Sequence, residues 1–257
     1  MSPRDWDAAT YDRVSTPQVE WAEGVLDRLE LRGDETVLDA GCGSGRVTKL
    51  LLERLPQGRV IAVDAAPAMV AKAREALGER ADVQLQDLSE LRLGEQVDAV
   101  FSNAVFHWVR DHERLFTRLF AALKPGGRIE AQCGGAGNVE RFHEAVARLA
   151  DHPPFSSYFE GWSGPWNFAS PTGTAQLLER IGFTDVHCSL LDWPVVPPEP
   201  HDYLRTVCLG HHLEQLPDEL RETLVGNVVE TLGDPLTLEY VRLNISAQKP
   251  NVPTSGA

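Results

Sequence analysis

Short apolar runs alternate along the chain with segments whose apolar residues recur every three or four positions. A run at residues 36–40 leads into a glycine-rich turn, and residues 46–55 follow with the spacing of a half-buried helix. The alternation continues and predicts strands at 59–63, 83–86, 97–102 and 128–133 and helices at 67–77 and 111–123. Nearly continuous apolar strands separated by helices are typical of a parallel sheet covered on both faces.

The alternation becomes irregular after residue 133. A helix is predicted at 139–150, and the aromatic, proline-rich stretch at 152–171 has no periodicity, so we expect an inserted loop or cap there. The remaining pattern predicts helices at 172–181, 201–213 and 217–232 and strands at 184–191 and 236–247. The two late strands, joined by a helical insertion, are expected to close one edge of the sheet.

Size and charge limit the possible functions. The 257 residues, 42% of them hydrophobic, suffice for one domain over 1–250 with a disordered tail at 251–257. The formal net charge of −14 disfavours nucleic acid as a partner, because phosphate binding relies on clustered Lys and Arg. No secretory pattern and no apolar run of about 18 residues is found, so we expect a cytoplasmic protein without membrane association. The four widely spaced cysteines indicate neither a disulfide framework nor a metal site.

The turn VLDAGCGSGR, at 37–46, carries the first functional signal. Between a strand and a helix, small residues allow a sharp turn and let a ligand approach main-chain N–H groups; here they are Gly41, Gly43 and Gly45. A dinucleotide-binding turn would have its third glycine where this chain has Arg46. Asp39, just before the glycines, would repel a phosphate and attract a cation. The turn therefore indicates a ligand with a positive charge nearby rather than a diphosphate.

Two further acids follow the next two predicted strands. Asp64 follows Gly45 at close to the ~20-residue offset at which an acid accepts hydrogen bonds from ribose hydroxyls. Asp87 ends the third strand at the same edge of the sheet, where its carboxylate is placed to accept the exocyclic amino proton of adenine. A nucleoside is therefore indicated, and three acids are expected to line one crevice.

The motifs VLDAGCGSG, VIAVDAAPAM, VQLQDLSEL, FSNAVFHWV and LKPGGRI together resemble those of class I S-adenosylmethionine-dependent methyltransferases, over residues 36–132. The wider chain is similar to the trans-aconitate methyltransferase branch of that family. The resemblance implies an α/β, Rossmann-like fold with a seven-stranded, mostly parallel sheet, an antiparallel last strand and helices on both faces. It makes 36–132 the cofactor-binding core, with helical cap insertions at 134–171 and 195–235 that contribute to substrate binding.

The resemblance also implies S-adenosyl-L-methionine as the cofactor. Asp39 and the glycine turn would hold its methionine part, Asp64 its ribose and Asp87 its adenine. Further contacts, three to the adenine ring and one beside the methyl donor, are implied for Ala65, Met69, Leu88 and Asn103. Because methyl transfer from a sulfonium depends on positioning, no metal is required.

Several of these residues also have a purely structural interpretation. Asp87 could cap the turn that follows it, and Met69 could belong to the core. His107, in a His-Trp pair after the fourth strand, is the candidate catalytic residue, although such a pair could equally pack structurally. Trp6 and Tyr11 could form a lid over the donor or an N-terminal helix docked on the core.

The acceptor is predicted to be a small molecule. A carboxylate, which the closest resemblance suggests, is ionised at neutral pH, so His107 would only orient it, whereas an amine or phenol would need His107 as a base. Methylation at carbon is also open. A polycarboxylate would call for an arginine clamp, for which the candidates are Arg141, Arg205 and Arg242. An apolar pocket could instead be walled by Trp108, Trp162, Trp166 and Phe168.

Two functions outside methyl transfer remain open at this point. A binding module that senses the nucleoside without turnover is possible because no general base is unambiguous. A nicotinamide oxidoreductase is disfavoured by Arg46 and Asp39. The sequence does not specify an oligomeric state.

Overall fold

Seven strands form one mixed sheet. The computed structural model describes residues 16–251, with side chains from Trp21 onward. The strands are β1 (Thr36–Ala40), β2 (Arg59–Asp64), β3 (Ala81–Leu85), β4 (Val97–Asn103), β5 (Leu123–Gly134), β6 (Thr184–Val195) and β7 (Leu238–Gln248). They lie in the order β3-β2-β1-β4-β5-β7-β6, parallel from β3 to β5, with β7 antiparallel to both of its neighbours. The predicted α/β class, the antiparallel last strand and the closing of one edge by the two late strands are confirmed.

Helices cover both faces of this sheet, as predicted. In the described part of the chain they are α1 (Thr16–Leu29), α2 (Arg46–Glu53), α3 (Pro67–Leu77), α4 (His112–Ala122), α5 (Glu140–Ala150), α6 (Ser156–Phe159), α7 (Pro171–Ile181), α8 (Pro200–Tyr203), α9 (Gly210–Leu213) and α10 (Asp218–Leu232). Alternate strand residues face opposite layers. Val37 and Val60 pack with α1, α2 and α3, whereas Leu38 and Ile61 pack with α4 and α7.

Local sequence explains where several helices begin. Pro67 stands in the first turn of α3, where its missing N–H leaves no bond unmade. Asp111 caps α4 by accepting a hydrogen bond from the N–H of Arg114 at 2.9 Å, and Ser170 caps α7 in the same way. These helices therefore begin within a residue of their predicted starts.

The strand β5 begins earlier than predicted. The prediction started it at Arg128, with residues 124–127 as a break after α4. The structure keeps these residues inside the strand as a bulge, because the register with β4 jumps from Val97 opposite Leu123 to Ala99 opposite Arg128. Residues 124–127 do follow the end of α4, as predicted, but they belong to β5 rather than to a loop before it.

Two later elements also differ from the prediction. β6 continues beyond 191 through Pro194, which an edge strand tolerates because β6 pairs only with β7. The single helix predicted at 201–213 is instead α8, a π-helical turn at Leu204–Cys208 and α9. The N–H of Leu209 reaches the carbonyl of Leu204 at 2.7 Å, an i to i+5 bond that breaks the regular ladder.

A third apolar cluster lies under the two segments predicted as insertions. Phe142 and Val146 of α5 meet Tyr203 and Leu204 of the second segment and Leu238 at the start of β7. Trp6, Tyr11 and all of the predicted tail except Asn251 lie outside the described residues. Between residues 16 and 251, no helix has both the length and the apolar character needed to cross a bilayer.

Candidate active site

The loops after β1 and β4 meet at the point where the strand order reverses. In open α/β sheets the crevice at such a point, outside the carboxyl ends of the strands, is where ligands bind. Gly41 follows β1 with φ +93°, and a Cβ on it would lie 2.2 Å from Cγ2 of Val105, which follows β4. Gly41 is therefore required by the close contact of these two loops.

The other two glycines of the turn are required for different reasons. Gly45, at φ +83°, would place a Cβ 3.1 Å from Leu77 and 3.3 Å from Ala73, so it permits the close packing of α2 on α3. Gly43, at φ +54°, has no atom within 4 Å of its Cβ position. Only this middle glycine faces open space, as the predicted ligand approach requires.

Asp39 is a buried carboxylate in β1. Its side chain is 2% exposed, and its Oδ2 accepts a hydrogen bond from Thr48 Oγ1 at 2.7 Å. Burial raises the pKa of Asp39 to about 7; the hydrogen bond from Thr48 opposes this shift and the nearby charge of Asp64 adds to it. A buried acid of this kind is stabilised in its ionised form by a cation placed beside it.

Asp64 ends β2 and contacts the glycine turn. Its Oδ2 accepts a hydrogen bond from the N–H of Gly43 at 2.9 Å, and its Oδ1 accepts one from the N–H of Ala66, also at 2.9 Å. Burial raises the pKa of Asp64, against the lowering effect of these hydrogen bonds. Ala65 lies between them, half-buried. The structure thus brings the second acid and the turn together.

The remaining predicted donor contacts are more varied. Asp87 lies at the same edge and is exposed, and its Oδ1 accepts hydrogen bonds of 2.8 Å from both N and Oγ of Ser89, which is the capping geometry considered above. Leu88 packs in the core with α4, and Met69 is buried in α3. Asn103 ends β4, half-buried, beside the loop that carries Val105.

We call the set Asp39, Gly41, Gly43, Gly45, Asp64 and Asp87 the donor edge. It fits an adenosyl sulfonium on two observations. The backbone at Gly43 is open where a ligand would approach, and the buried carboxylate of Asp39 favours positive rather than negative charge. A diphosphate would instead meet an acid at each of three neighbouring strands.

A small cavity lies beyond the end of β4. Its volume is about 80 Å³, enough for a few waters or one small polar group, and we call it the inner chamber. It is bounded by Ala104 and His107 after β4, by Phe168 and Val207 from the two insertions, and by Arg242 of β7. Both predicted insertions therefore contribute residues to the wall of the inner chamber.

His107 lies in a short 3-10 turn, Phe106–Trp108, with its ring facing the inner chamber. Its Nδ1 accepts a hydrogen bond from the N–H of Gly134 at 3.2 Å. Burial lowers the pKa of His107 well below its usual value, and the charge of Arg242 lowers it further. The neutral ring with an occupied Nδ1 carries its proton on Nε2 and can donate a hydrogen bond there.

Arg242 brings a guanidinium to the same chamber. The antiparallel register of β7 places it opposite Gly134, the residue that binds His107. Its side chain is 1% exposed, stacks over the ring of Trp21 at 4.1 Å and donates a hydrogen bond from Nε to Gln132 at 3.4 Å. Such burial is rare for arginine.

The structure distinguishes between the three arginines that the sequence offered as candidates for a carboxylate clamp. Arg141 is exposed and pairs with Glu239 at 2.9 Å, and Arg205 is exposed and pairs with Glu222 at 3.2 Å. Arg242 alone among these candidates lines the inner chamber. No signal in the sequence singles it out, because Arg242 is in phase along β7 with the polar residues Asn244 and Ser246 rather than with the apolar ones.

A second, larger cavity adjoins the inner chamber. Its volume is about 910 Å³, it opens to solvent, and we call it the outer cavity. Asn138, His143, Trp166 and Phe168 line both spaces. The four predicted aromatic wall residues are confirmed as lining residues of one or both cavities: Trp108, Trp162, Trp166 and Phe168.

Sequence reasoning missed several residues of this site. Gly134 and Tyr240 lie in no motif, and the motif FSNAVFHWV does not reveal that Val105 contacts Gly41, because each of these residues acts through a contact with a distant part of the chain. Tyr240 lines the inner chamber, and its hydroxyl lies 3.0 Å from the hydroxyl of Tyr203. No spacing in the sequence links these positions.

Comparison with known proteins agrees with this geometry. The family model described as a methyltransferase domain matches residues 37–127. Among solved structures, phosphoethanolamine N-methyltransferase 2 of Haemonchus contortus, bound to phosphomonomethylethanolamine and S-adenosylhomocysteine, superposes with a TM-score of 0.64 at 19% identity, over 95% of this chain and 57% of that chain. The YcgJ protein of Bacillus subtilis gives a TM-score of 0.62 at 18% identity, over 91% and 99%. The chain is an S-adenosylmethionine-dependent methyltransferase.

Its relatives define the family more narrowly. Trans-aconitate 2-methyltransferase of Variovorax paradoxus strain S110 is 40% identical over 95% of this chain and 98% of its own length. The protein of the same name from Acidovorax sp. strain JS42 is 38% identical over 95% and 98%. The chain belongs to the trans-aconitate 2-methyltransferase family, which confirms the resemblance stated above.

Proposed function

We propose that the protein transfers the methyl group of S-adenosylmethionine to a carboxylate oxygen of a small organic acid. The observation that carries this proposal is the buried guanidinium of Arg242 in the inner chamber. A guanidinium binds a carboxylate in a planar, two-pronged geometry. A protonated amine would be repelled in the same place. The relatives are named for the methylation of an organic acid, trans-aconitate, which supports the same acceptor class.

His107 acts in this proposal as a hydrogen-bond donor. Its Nε2 proton faces the chamber because Nδ1 is engaged by Gly134, and its lowered pKa keeps the ring neutral at physiological pH. A carboxylate with a pKa near 4 is already ionised and needs no base. Arg242 and His107 together then orient one acceptor oxygen while the other stays available for the methyl group.

The reaction itself is a single displacement. S-adenosylmethionine supplies an electrophilic methyl group attached to a sulfonium sulfur. A lone pair of the carboxylate oxygen forms the new O–C bond as the C–S bond breaks, and the electron pair of that bond remains on sulfur, which becomes neutral. The protein contributes by alignment and by excluding water, because no proton has to be transferred.

The donor side of the proposal assigns one part of the cofactor to each strand end. Asp39 and the glycine turn hold the methionine part, Asp64 the ribose hydroxyls and Asp87 the adenine amino group. Smaller contacts in the same proposal come from Ala65, Met69, Leu88 and Asn103. The fixed hydrogen bond between Asp64 and Gly43 supports this order, because it couples the ribose position to the turn.

The organisation and setting of the protein are part of the same proposal. Residues 36–132 form the donor-binding core of one domain over 1–250, and 134–171 and 195–235 enclose the acceptor. The net charge of −14 supports a small-molecule partner rather than nucleic acid or an anionic membrane. A cytoplasmic location is part of the same proposal.

The test is methyl transfer from a labelled donor to matched panels of carboxylic acids, phenols and amines. A methyl ester releases its label as methanol in mild base, whereas a methylated amine or aryl ether keeps it. We expect base-labile product from acids only. Arg242→Gln should lower kcat/KM for the acid about 100- to 1000-fold, because removing one partner of a buried charge pair typically costs ~3–4 kcal/mol.

The matched control is Arg141→Gln, which removes an exposed arginine and should change kcat/KM less than twofold. Donor affinity, measured by calorimetry, should be unchanged in both variants, which separates loss of acceptor binding from misfolding. Base-stable label transferred to an amine or phenol would refute the proposal.

A further inference from the structure

The outer cavity limits which groups the acceptor can carry beyond its carboxylate. It is more than ten times larger than the inner chamber, with about 910 Å³ against about 80 Å³. The two spaces share the side chains of His143, Trp166 and Phe168. An acceptor whose carboxylate is bound to Arg242 in the inner chamber must therefore extend the remainder of its structure into the outer cavity.

Among the residues that the structure describes, the charged side chains that line the outer cavity are all acidic. Glu140, Asp151 and Glu160 line it, and all three are exposed residues at its rim. These carboxylates repel additional carboxylates on an acceptor, by up to ~1 kcal/mol each at exposed positions. They do not repel an apolar group.

The histidines of the outer cavity do not supply a compensating positive charge. Burial lowers the pKa of His143 to about 4 and that of His212 to about 3, so both rings are neutral at physiological pH. They behave as aromatic rings: His212 lies 4.8 Å from the ring of Trp162 and 5.1 Å from that of Trp166.

One part of the wall of the outer cavity is aromatic and aliphatic, and it lies beside the hydroxyl-bearing residues Ser156, Ser157 and Ser163. Trp162 and Trp166 stand edge to face at 5.7 Å, and Phe159 and Val146 add apolar surface from α6 and α5. Both tryptophans are only half-buried, so they keep apolar surface that a ligand can cover. Each methylene that a ligand buries against such a wall contributes about 0.8 kcal/mol.

We propose that the acceptor is a monocarboxylic acid with a bulky apolar or aromatic tail, the carboxylate bound to Arg242 in the inner chamber and the tail against Trp162 and Trp166 in the outer cavity. This inference rests on the proposed function, because it needs the carboxylate at Arg242. It departs from the tricarboxylate named for the relatives, since the second and third carboxylates of such an acid would face the three acids of the rim.

The experiment compares kcat/KM for four acids under one donor concentration: decanoate, phenylbutanoate, butanoate and trans-aconitate. We expect decanoate and phenylbutanoate to exceed both butanoate and trans-aconitate by at least about tenfold, since two buried methylenes already supply that factor. A clear preference for trans-aconitate would overturn the inference.

Two pairs of variants locate the effect. Trp162→Ala should lower kcat/KM for decanoate about tenfold and leave butanoate within twofold, whereas Tyr158→Ala, an exposed aromatic residue of α6 outside the cavity lining, should change neither. Glu160→Lys should raise kcat/KM for trans-aconitate several-fold in a salt-sensitive way, unlike Glu144→Lys on the outside of α5. Equal loss for all acids in Trp162→Ala would count against the inference.

The outcomes separate the inference from the proposed function. If only polycarboxylates yield base-labile product, the proposed function stands and the inference fails. If no acid is methylated while the donor still binds, the proposed function fails and the inference fails with it.

Discussion

The donor edge and the acceptor cavities are built in opposite ways. The donor edge uses backbone geometry and strand ends from one continuous stretch, in which Gly43 donates a hydrogen bond to Asp64 and Gly41 donates one to the carbonyl of Val63. The acceptor cavities use side chains from distant segments, such as His107 after β4, Trp166 from an insertion and Arg242 from the last strand. The first arrangement is a feature of the fold, and the second distinguishes one acceptor from another.

The largest expected effect is on the donor edge. Gly41→Ala should lower the free energy of unfolding by about 3 kcal/mol, because its Cβ overlaps Val105 and its φ of +93° is strained for alanine. Urea denaturation measures this loss. Val105→Ala in the same chain should restore about half of it. An unchanged unfolding midpoint for Gly41→Ala would show that the two loops separate without cost.

Asp64→Ala should weaken donor binding about 100-fold, from the loss of two charge-assisted hydrogen bonds. It also removes the acceptor for the N–H of Gly43. Calorimetry with S-adenosylhomocysteine gives the affinity. Asp82→Ala, which removes an exposed acid within β3, is the matched control and should leave the affinity unchanged. Undiminished affinity in Asp64→Ala would remove this acid from the donor site.

Donor affinity should depend on pH through Asp39. Its pKa is raised to about 7 in the donor-free protein, so below that pH a cationic donor must displace a proton. The affinity should fall by up to tenfold per pH unit on going from pH 7 to pH 5.5, and Asp39→Asn should flatten this dependence.

The same carboxyl also affects the stability of the donor-free fold. A raised pKa means that the folded state holds its proton more tightly than the unfolded state, whose value is near 3.8. Stability should therefore fall as pH rises from about 4 to about 7, and this part of the pH dependence should be absent in Asp39→Asn. Denaturation midpoints of the two proteins across that range test the sign.

The smallest effect is expected at His107. His107→Gln keeps an N–H donor and should lower kcat/KM about threefold, whereas His107→Ala should lower it about tenfold. With saturating donor, kcat should be flat between pH 6 and pH 8, because the pKa of His107 lies well below its usual value. A rate that rises through pH 6.5 would instead identify His107 as a base.

The donor edge was predictable from sequence because its residues follow one another at fixed spacings after apolar strands. Asp39, the three glycines and Asp64 lie where their motif places them, whereas Leu88 packs in the core with α4. The inner chamber was not predictable. Arg242 could be named as one of three candidates, but only the register of β7 against β5 shows that it lies opposite Gly134.

The irregular elements were missed for similar reasons. The helix predicted at 201–213 is divided by a π-helical turn that turns Val207 and Cys208 toward the inner chamber, and nothing in the apolar spacing signals the extra residue. Likewise, Pro194 predicts that a strand ends before it, because proline cannot donate a hydrogen bond to a second neighbour; only the position of β6 at the edge of the sheet shows that the strand can continue. Tertiary contacts decide both cases.

The position of β7 as the last element along the chain has a consequence for the order in which the site is synthesised. Arg242 lies near the middle of that strand, so it is among the last residues of the site to be synthesised. All three acids of the donor edge precede it by more than half of the chain. A polypeptide terminated before Leu238 therefore contains every proposed donor residue, but it lacks Arg242 and the strand that joins β5 to β6.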